Sequence, residues 1–385
     1  MSAAIDPLFQ PITIRNLTLK NRLVMSPMTR SMSPDGALPD IAAEYYGRRA
    51  DHDIGLIVTE GIGVDHPSAI GDSGTGSFDI PDLHGDKPLE DWKAVVDRVH
   101  QAGSAIFPQL WHHGVMRLDY TGREAHAPSI RPSGVWGPDT PGPFHLPQYL
   151  ERAVKPTKPA TEEEIADVIA GYARSARNAV SIGFDGVAIH GAHGYLPDAF
   201  LWHVTNRRTD RWGGPTLRDR ASFAVELIKA VRSEIGDRPL MFRFSLWKLH
   251  NYDYSLTDDP KELEGALCAM ADAGVDLFDA STRKFEVPPF AGSDLSLAGW
   301  AKKLTGKPCM AVGGVALSKD LQTSLMEGLS ETSDNLPLVR EKLASGEFDL
   351  IGVGRALLSN PDFGTRVRKG EALKPFSQEH AATLV

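Results

Sequence analysis

Eight short apolar runs, each followed by a loop and then an amphipathic stretch, limit what this 385-residue chain can fold into. The runs are 22–26 (RLVMS), 56–60 (LIVTE), 104–110 (SAIFPQL), 185–190 (DGVAIH), 240–245 (LMFRFS), 275–280 (VDLFDA), 308–312 (PCMAV) and 350–353 (LIGV). Continuous apolar runs bounded by turn residues suit strands buried in a parallel sheet. Between them, 41–49, 88–101, 216–234, 260–273, 334–344 and a segment after Arg355 read as helices. Thr161, with Glu164 three residues on, forms a capping box that opens another. Strands alternating with helices over this length predict an α/β fold, a (β/α)8 TIM barrel, in preference to an open sheet. The alternating segment 12–19 (ITIRNLTL) predicts an N-terminal hairpin closing the barrel bottom. A Gly- and Pro-rich insertion, 112–158, follows strand three. In a barrel it falls at the C-terminal face, so it is expected to be a lid or pocket wall, leaving 1–385 as one domain.

Composition removes several alternatives. A net charge of −9 argues against a nucleic-acid surface, which needs clustered Lys and Arg. The two cysteines, Cys268 and Cys309, are too few for a disulfide framework or for a metal or iron–sulfur site held by four cysteines. No window approaches the ~20 apolar residues of a membrane span. Residues 1–7 (MSAAIDP) lack the basic and apolar regions of a secretory signal, so a cytoplasmic location is expected.

Catalysis on this fold gathers at the C-terminal ends of the strands. There the sequence places Pro27-Met28-Thr29-Arg30, Thr59-Glu60-Gly61, Gln109-Leu110-Trp111, the turn His190-Gly191-Ala192-His193-Gly194-Tyr195, Arg243, Gly313-Gly314 and Gly354-Arg355. Glycines after strands seven and eight leave backbone N–H groups free to cradle a phosphate, with Arg355 as a bidentate partner; either turn alone reads better as a tight turn, and it is the two together, where barrels hold phosphate, that point to one. His190 and His193 suit a metal, a substrate oxygen or mere backbone satisfaction. With His112 and His113 as further ligands, a zinc-dependent hydrolase is the runner-up, although the first strand offers no H-x-H anchor. Tyr195 reads as a core aromatic or as an acid. Arg243, inside an apolar strand, needs an anionic partner or an electron-rich ligand.

These residues carry a resemblance. Over nearly its whole length the chain resembles the Old Yellow Enzyme family of FMN-dependent ene-reductases. The matching segments are 9–30 (FQPITIRNLTLKNRLVMSPMTR), 350–363 (LIGVGRALLSNPDF) and, most specifically, 189–220 (IHGAHGYLPDAFLWHVTNRRTDRWGGPTLRDR). The resemblance implies non-covalent FMN. Thr29 would lie at the flavin C4 carbonyl, Pro27, Met28 and Gly61 against the ring through their backbone, and Gln109 at the pyrimidine edge. Arg243 would sit near N1 and the C2 oxygen, and Gly313, Gly314, Gly354 and Arg355 at the phosphate. His190 and His193 would bond the carbonyl oxygen of an activated alkene, Trp111 would line the substrate pocket, and Tyr195 would protonate the α-carbon. NAD(P)H would be the co-substrate in a ping-pong cycle. Desaturation, or reduction of nitro groups or nitrate esters, would use the same site, and a non-catalytic flavin protein would lack the His–His–Tyr set. A homo-oligomer stays open.

Three features depart from the family pattern. His193 stands where many relatives have asparagine. Residues 244–248 (FSLWK) replace the usual run after the strand-five arginine and are expected to reshape the pocket wall. The connection 315–348 is longer than usual.

Overall fold

The computed structural model describes residues 6–74, 79–142 and 145–385. Eight parallel strands close into a barrel: β1 (Leu23–Met25), β2 (Leu56–Gly63), β3 (Ala105–Trp111), β4 (Val187–His190), β5 (Leu240–Phe244), β6 (Leu277–Ser281), β7 (Cys309–Val312) and β8 (Leu350–Val353). Each pairs with its neighbours in chain order, and β8 closes the circle onto β1. The helices that pack outside are α1 (Ala42–Asp51), α2 (Asp86–Gln101), α3 (Glu162–Ser181), α4 (Ser222–Ile235), α5 (Pro260–Ala273), α6 (Leu297–Thr305), α7 (Leu336–Ala344) and α8 (Phe363–Lys369). The predicted capping box opens α3: the Glu164 N–H donates to Thr161 Oγ at 3.2 Å, and the Thr161 N–H donates to Glu164 Oε2 at 2.8 Å. The helix expected over 216–234 is broken, because Leu217–Arg220 ends at Ala221 before α4 begins. α6, absent from the sequence reading, is capped by Ser296 and stopped by Gly306 in the left-handed conformation.

Inside the barrel the side chains divide into two layers. Successive residues of a strand point to opposite faces, so only every second one reaches the interior. The lower inward positions are apolar: Val24, Leu56, Val58, Ala105, Phe107, Ala188, Met241, Leu277, Met310 and Leu350 form one cluster. Ile14 and Leu19 of the predicted hairpin, whose strands Ile12–Ile14 and Leu17–Leu19 pair antiparallel, join this cluster and plug the bottom. Two residues further on, the same parity delivers Ser26, Gln109, His190, Arg243 and Gly352 to a cavity at the top. Strand β2 breaks the rule through a bulge between Val58 and Gly61. A bulge re-aims side chains, and here the Glu60 carboxylate receives the Tyr46 hydroxyl of α1 at 3.4 Å.

The 112–158 insertion corrects an expectation. None of its described residues lines the cavity. It is a buttress built on a short helix, Pro147–Ala153, and on guanidinium groups that satisfy loop carbonyls. Arg117 is fully buried and donates to the carbonyls of Ile70 (3.1 Å), Ala127 (2.6 Å), Thr121 (2.7 Å) and Glu124 (3.0 Å). Buried backbone oxygens need such donors, since irregular loops supply few of their own. Arg117→Met should therefore open this loop while the barrel stays folded. Limited proteolysis should nick the variant between residues 117 and 131 several-fold faster than the wild type, with unchanged far-UV circular dichroism.

Candidate active site

The upper layer opens into a cavity of about 450 Å³, within the range of small-molecule sites. Pro27, Met28, Thr29, Gln109, Trp111, His190, His193, Tyr195, Arg243, Gly313, Gly314, Gly354 and Arg355, drawn from six strand ends, all line it. Gly61 is the exception among the residues singled out from sequence. It lies in β2 against Trp111, where a Cβ would collide with the indole, and it does not form part of the cavity wall. Its role is spatial: it makes room for Trp111.

One wall is a cluster of rings on the β4 turn. His190 stacks near Trp111 with centroids 5.9 Å apart, and Tyr195 stands edge-on to Trp111 at 4.9 Å and to His190 at 4.8 Å. His193 lies 5.1 Å from His190. Burial holds both imidazoles neutral, well below the ordinary histidine range, and the Arg243 cation adds to the effect. Burial also pushes the Tyr195 phenol up, so it keeps its proton at neutral pH.

The turn is held in an uncommon backbone state. His193 has φ +65° and Gly194 φ +90°, where a Cβ at Gly194 would collide with His250. Left-handed backbone at a non-glycine persists only where its surroundings enforce it. Here the His193 N–H donates to Ser245 Oγ at 3.0 Å, His193 Nε2 meets Ser281 Oγ at 2.8 Å, and Trp247 stacks on the imidazole at 4.2 Å. Below, the Gly194 N–H donates to Asp198 Oδ2 at 2.6 Å, and Lys248 Nζ lies 2.7 Å from both Asp198 oxygens. Neither Asp198 nor Lys248 is exposed. Burial pushes the carboxyl up and the ammonium down, and their contact opposes both shifts. The unusual 244–248 segment thus supplies three supports for one turn, in Ser245, Trp247 and Lys248. Sequence alone could not find the Asp198 pairing.

The floor and the far end complete the site. Arg243 Nε donates to Asp279 Oδ2 at 2.5 Å, which supplies the anionic partner that the sequence left unassigned. Gln109 Nε2, Arg243 Nη2, Ser26 Oγ and Trp111 Nε1 are buried and find no hydrogen-bond partner among the described residues. Buried donors without acceptors are costly. A flavin pyrimidine edge offers carbonyl oxygens and a ring nitrogen of matching polarity, so the residues present fit that group. At the other end Gly313 and Gly314 take φ +135° and +67°. The long 315–348 connection braces this turn. Asn335 Oδ1 accepts the Ala316 N–H at 2.8 Å, its Nδ2 donates to Gly314 O at 2.9 Å, and Arg355 donates to the Lys319 and Asp320 carbonyls at 3.1 Å each.

The metal reading finds no such support. His112 and His113 do not line the cavity with His190 and His193, and no group of three metal-ligating side chains occurs among the described residues. No helix among them is long and apolar enough to cross a membrane.

Fold and site together are those of a flavin-binding (β/α)8 oxidoreductase. Residues 7–329 match the NADH:flavin oxidoreductase / NADH oxidase family, and the chain belongs to that family, whose cofactor is FMN. It is 31% identical to a chanoclavine-I aldehyde reductase of Penicillium roqueforti, covering 96% of this chain and 91% of that one. It is also 31% identical to a putative 12-oxophytodienoate reductase of Oryza sativa, covering 94% and 86%. The solved Old Yellow Enzyme homologue of Zymomonas mobilis superposes with a TM-score of 0.76 at 26% identity, over 98% of this chain and 96% of that one. The chain is thus an FMN-dependent oxidoreductase of the Old Yellow Enzyme type.

Lys248→Met leaves Asp198 buried without its counter-charge and should destabilise the fold by about 3–5 kcal/mol, measured by urea unfolding. Glu60, on the bulge, accepts the Arg30 N–H at 2.9 Å, and burial raises its pKa from 4.5 to about 7. The folded chain keeps this proton to higher pH than the unfolded chain. Stability from this group is therefore complete below pH 4.5 and is lost as the pH rises through about 7. Between pH 5 and pH 8 the wild type should lose more thermal stability than Glu60→Gln; equal losses would show that Glu60 titrates normally.

Proposed function

We propose that this enzyme reduces the activated C=C bond of α,β-unsaturated carbonyl compounds, with NAD(P)H as reductant. The observation that carries this reading is the cluster of two neutral histidines and one protonated tyrosine on a single turn, at the wall of the cavity whose floor suits FMN. Two relatives are named for carbonyl compounds, an aldehyde and an oxo acid, which agrees with it.

When bound, FMN would supply the hydride chemistry for the β-carbon, with NAD(P)H as the source of its electrons. The protein supplies placement and electrostatics. Gln109 and Arg243 would hold the pyrimidine edge, Pro27, Met28 and Thr29 would flank the ring, and Gly313, Gly314, Gly354 and Arg355 would hold the phosphate. His190 and His193 donate hydrogen bonds to the substrate oxygen and stabilise the negative charge that develops there as the alkene accepts hydride. Their neutrality suits this task, because a neutral imidazole polarises the carbonyl without surrendering a proton to the product enolate. Tyr195 gives its proton to the α-carbon and recovers one from solvent, so two hydrogens add across the double bond. Trp111 forms the apolar wall against which the alkene lies.

The two half-reactions separate the roles. With FMN-loaded protein under anaerobic stopped flow, NAD(P)H should bleach the flavin at similar rates in the wild type and in Tyr195→Phe. A cyclic enone should then restore the absorbance ~10²–10⁴-fold more slowly in the variant. A wild type that is reduced but not reoxidised by enone contradicts alkene reduction. A variant reoxidised at the wild-type rate removes Tyr195 as the acid.

A further inference from the structure

The cation at the floor of the cavity is not alone, and its partner has a consequence for the cofactor. Arg243 and Asp279 stand at one level of the barrel, paired in register on β5 and β6. Asp279 occupies the inward position between Leu277 of the apolar layer and Ser281 of the cavity wall. It is fully buried, and its Oδ2 accepts from Arg243 Nε at 2.5 Å. As a device for stability such a pair is poor, since well-packed apolar side chains of similar volume serve a core as well or better. The pair is also incomplete: Arg243 Nη2 and Asp279 Oδ1 have no partner among the described residues. The guanidinium thus spends only Nε on the carboxylate and keeps its amino groups free, while that carboxylate offsets its charge from the neighbouring strand.

Resting on the FMN reading above, we propose that Asp279 is a positioning residue that sets the flavin's reduction potential through Arg243. Two-electron reduction places negative charge on the pyrimidine side of the ring, the side that Arg243 serves. An unpaired arginine would stabilise that charge and pull the potential up. Asp279 withdraws part of this stabilisation, because its own charge opposes any anion that the same guanidinium holds, and in a low-dielectric interior such opposition is strong. The bound flavin is therefore less willing to hold electrons and is a stronger hydride donor. Asp279 also fixes the Arg243 side chain through Nε, so that the amino groups are left for the ring.

The test compares FMN-loaded wild type with Asp279→Asn, which keeps the shape and removes the charge. Flavin content is read first from the visible spectrum, and the midpoint potential is then measured by dye-coupled titration. The reduced flavin should be favoured at least tenfold in the variant, a rise of ~30 mV for a two-electron couple. Sulfite, which adds at N5 and leaves its negative charge on the pyrimidine side, should bind the variant more tightly by a similar factor. An FMN-loaded variant with unchanged or lowered potential and unchanged sulfite affinity overturns the proposal and leaves the FMN reading intact. A folded wild type that takes up no FMN overturns that reading and this one with it. If Asp279→Asn does not fold, Asp279→Ser is measured in the same way. Should neither variant hold FMN while the wild type does, the carboxylate is a structural partner only, and the proposal fails.

Discussion

A closed barrel admits to its interior only every second residue of each strand, and the rest of this molecule follows from how those positions are filled. Low in the barrel they are Val, Leu, Ala, Phe and Met, sealed by Ile14 and Leu19. One step higher they become serine, glutamine, histidine, arginine and glycine. The lower layer gives the strands their reason to close. The upper layer cannot close, because its polar groups have too few partners among themselves, and the result is a cavity with unsatisfied donors on its floor. Fold and site are therefore two readings of one alternating pattern.

The site is rigid for electrostatic as much as for steric reasons. Two buried ion pairs stand behind it, Arg243–Asp279 under the floor and Lys248–Asp198 under the β4 turn. Each joins a chemically useful element to a neighbour distant in sequence. The second pair answers a conformational need, since His193 and Gly194 occupy left-handed backbone and gain nothing from regular secondary structure. Further out, Arg117 and Arg355 use backbone carbonyls as acceptors, which lets irregular segments pack densely without carboxylate partners.

Much of this was legible in the sequence because it depends on local pattern. The apolar runs located all eight strands, and polar residues at their ends located the cavity wall. The glycines after β7 and β8 and the histidines of the β4 turn were also visible there. What stayed hidden depends on contacts between residues far apart in the chain. Asp279 reads as one more residue of an apolar run, and only the pairing of β5 with β6 sets it beside Arg243. Lys248 and Asp198, 50 residues apart, meet for a similar reason. Gly61 lies against the Trp111 ring and not on the cavity wall, a contact between neighbouring strands that leaves no mark in hydrophobic period. The 112–158 insertion was long enough to suggest a lid, but its buried arginines tie it down outside the cavity. α6 is marked at both ends by Ser296 and Gly306, but Gly299 and the Pro288-Pro289 stretch before it weaken its helical pattern.

The polar upper layer suits a cofactor floor, its unpartnered donors matched to the acceptors of a flavin ring. The most direct measurement is a titration of the flavin-free wild type with FMN, followed by quenching of flavin fluorescence and compared with Gln109→Leu, which removes one waiting donor. Saturation at one FMN per chain, with affinity weakened in Gln109→Leu while riboflavin and FMN lose it alike, would place the ring on this floor. Wild-type protein that is folded yet leaves the fluorescence unchanged, or a Gln109→Leu variant that binds as tightly as the wild type, would contradict it.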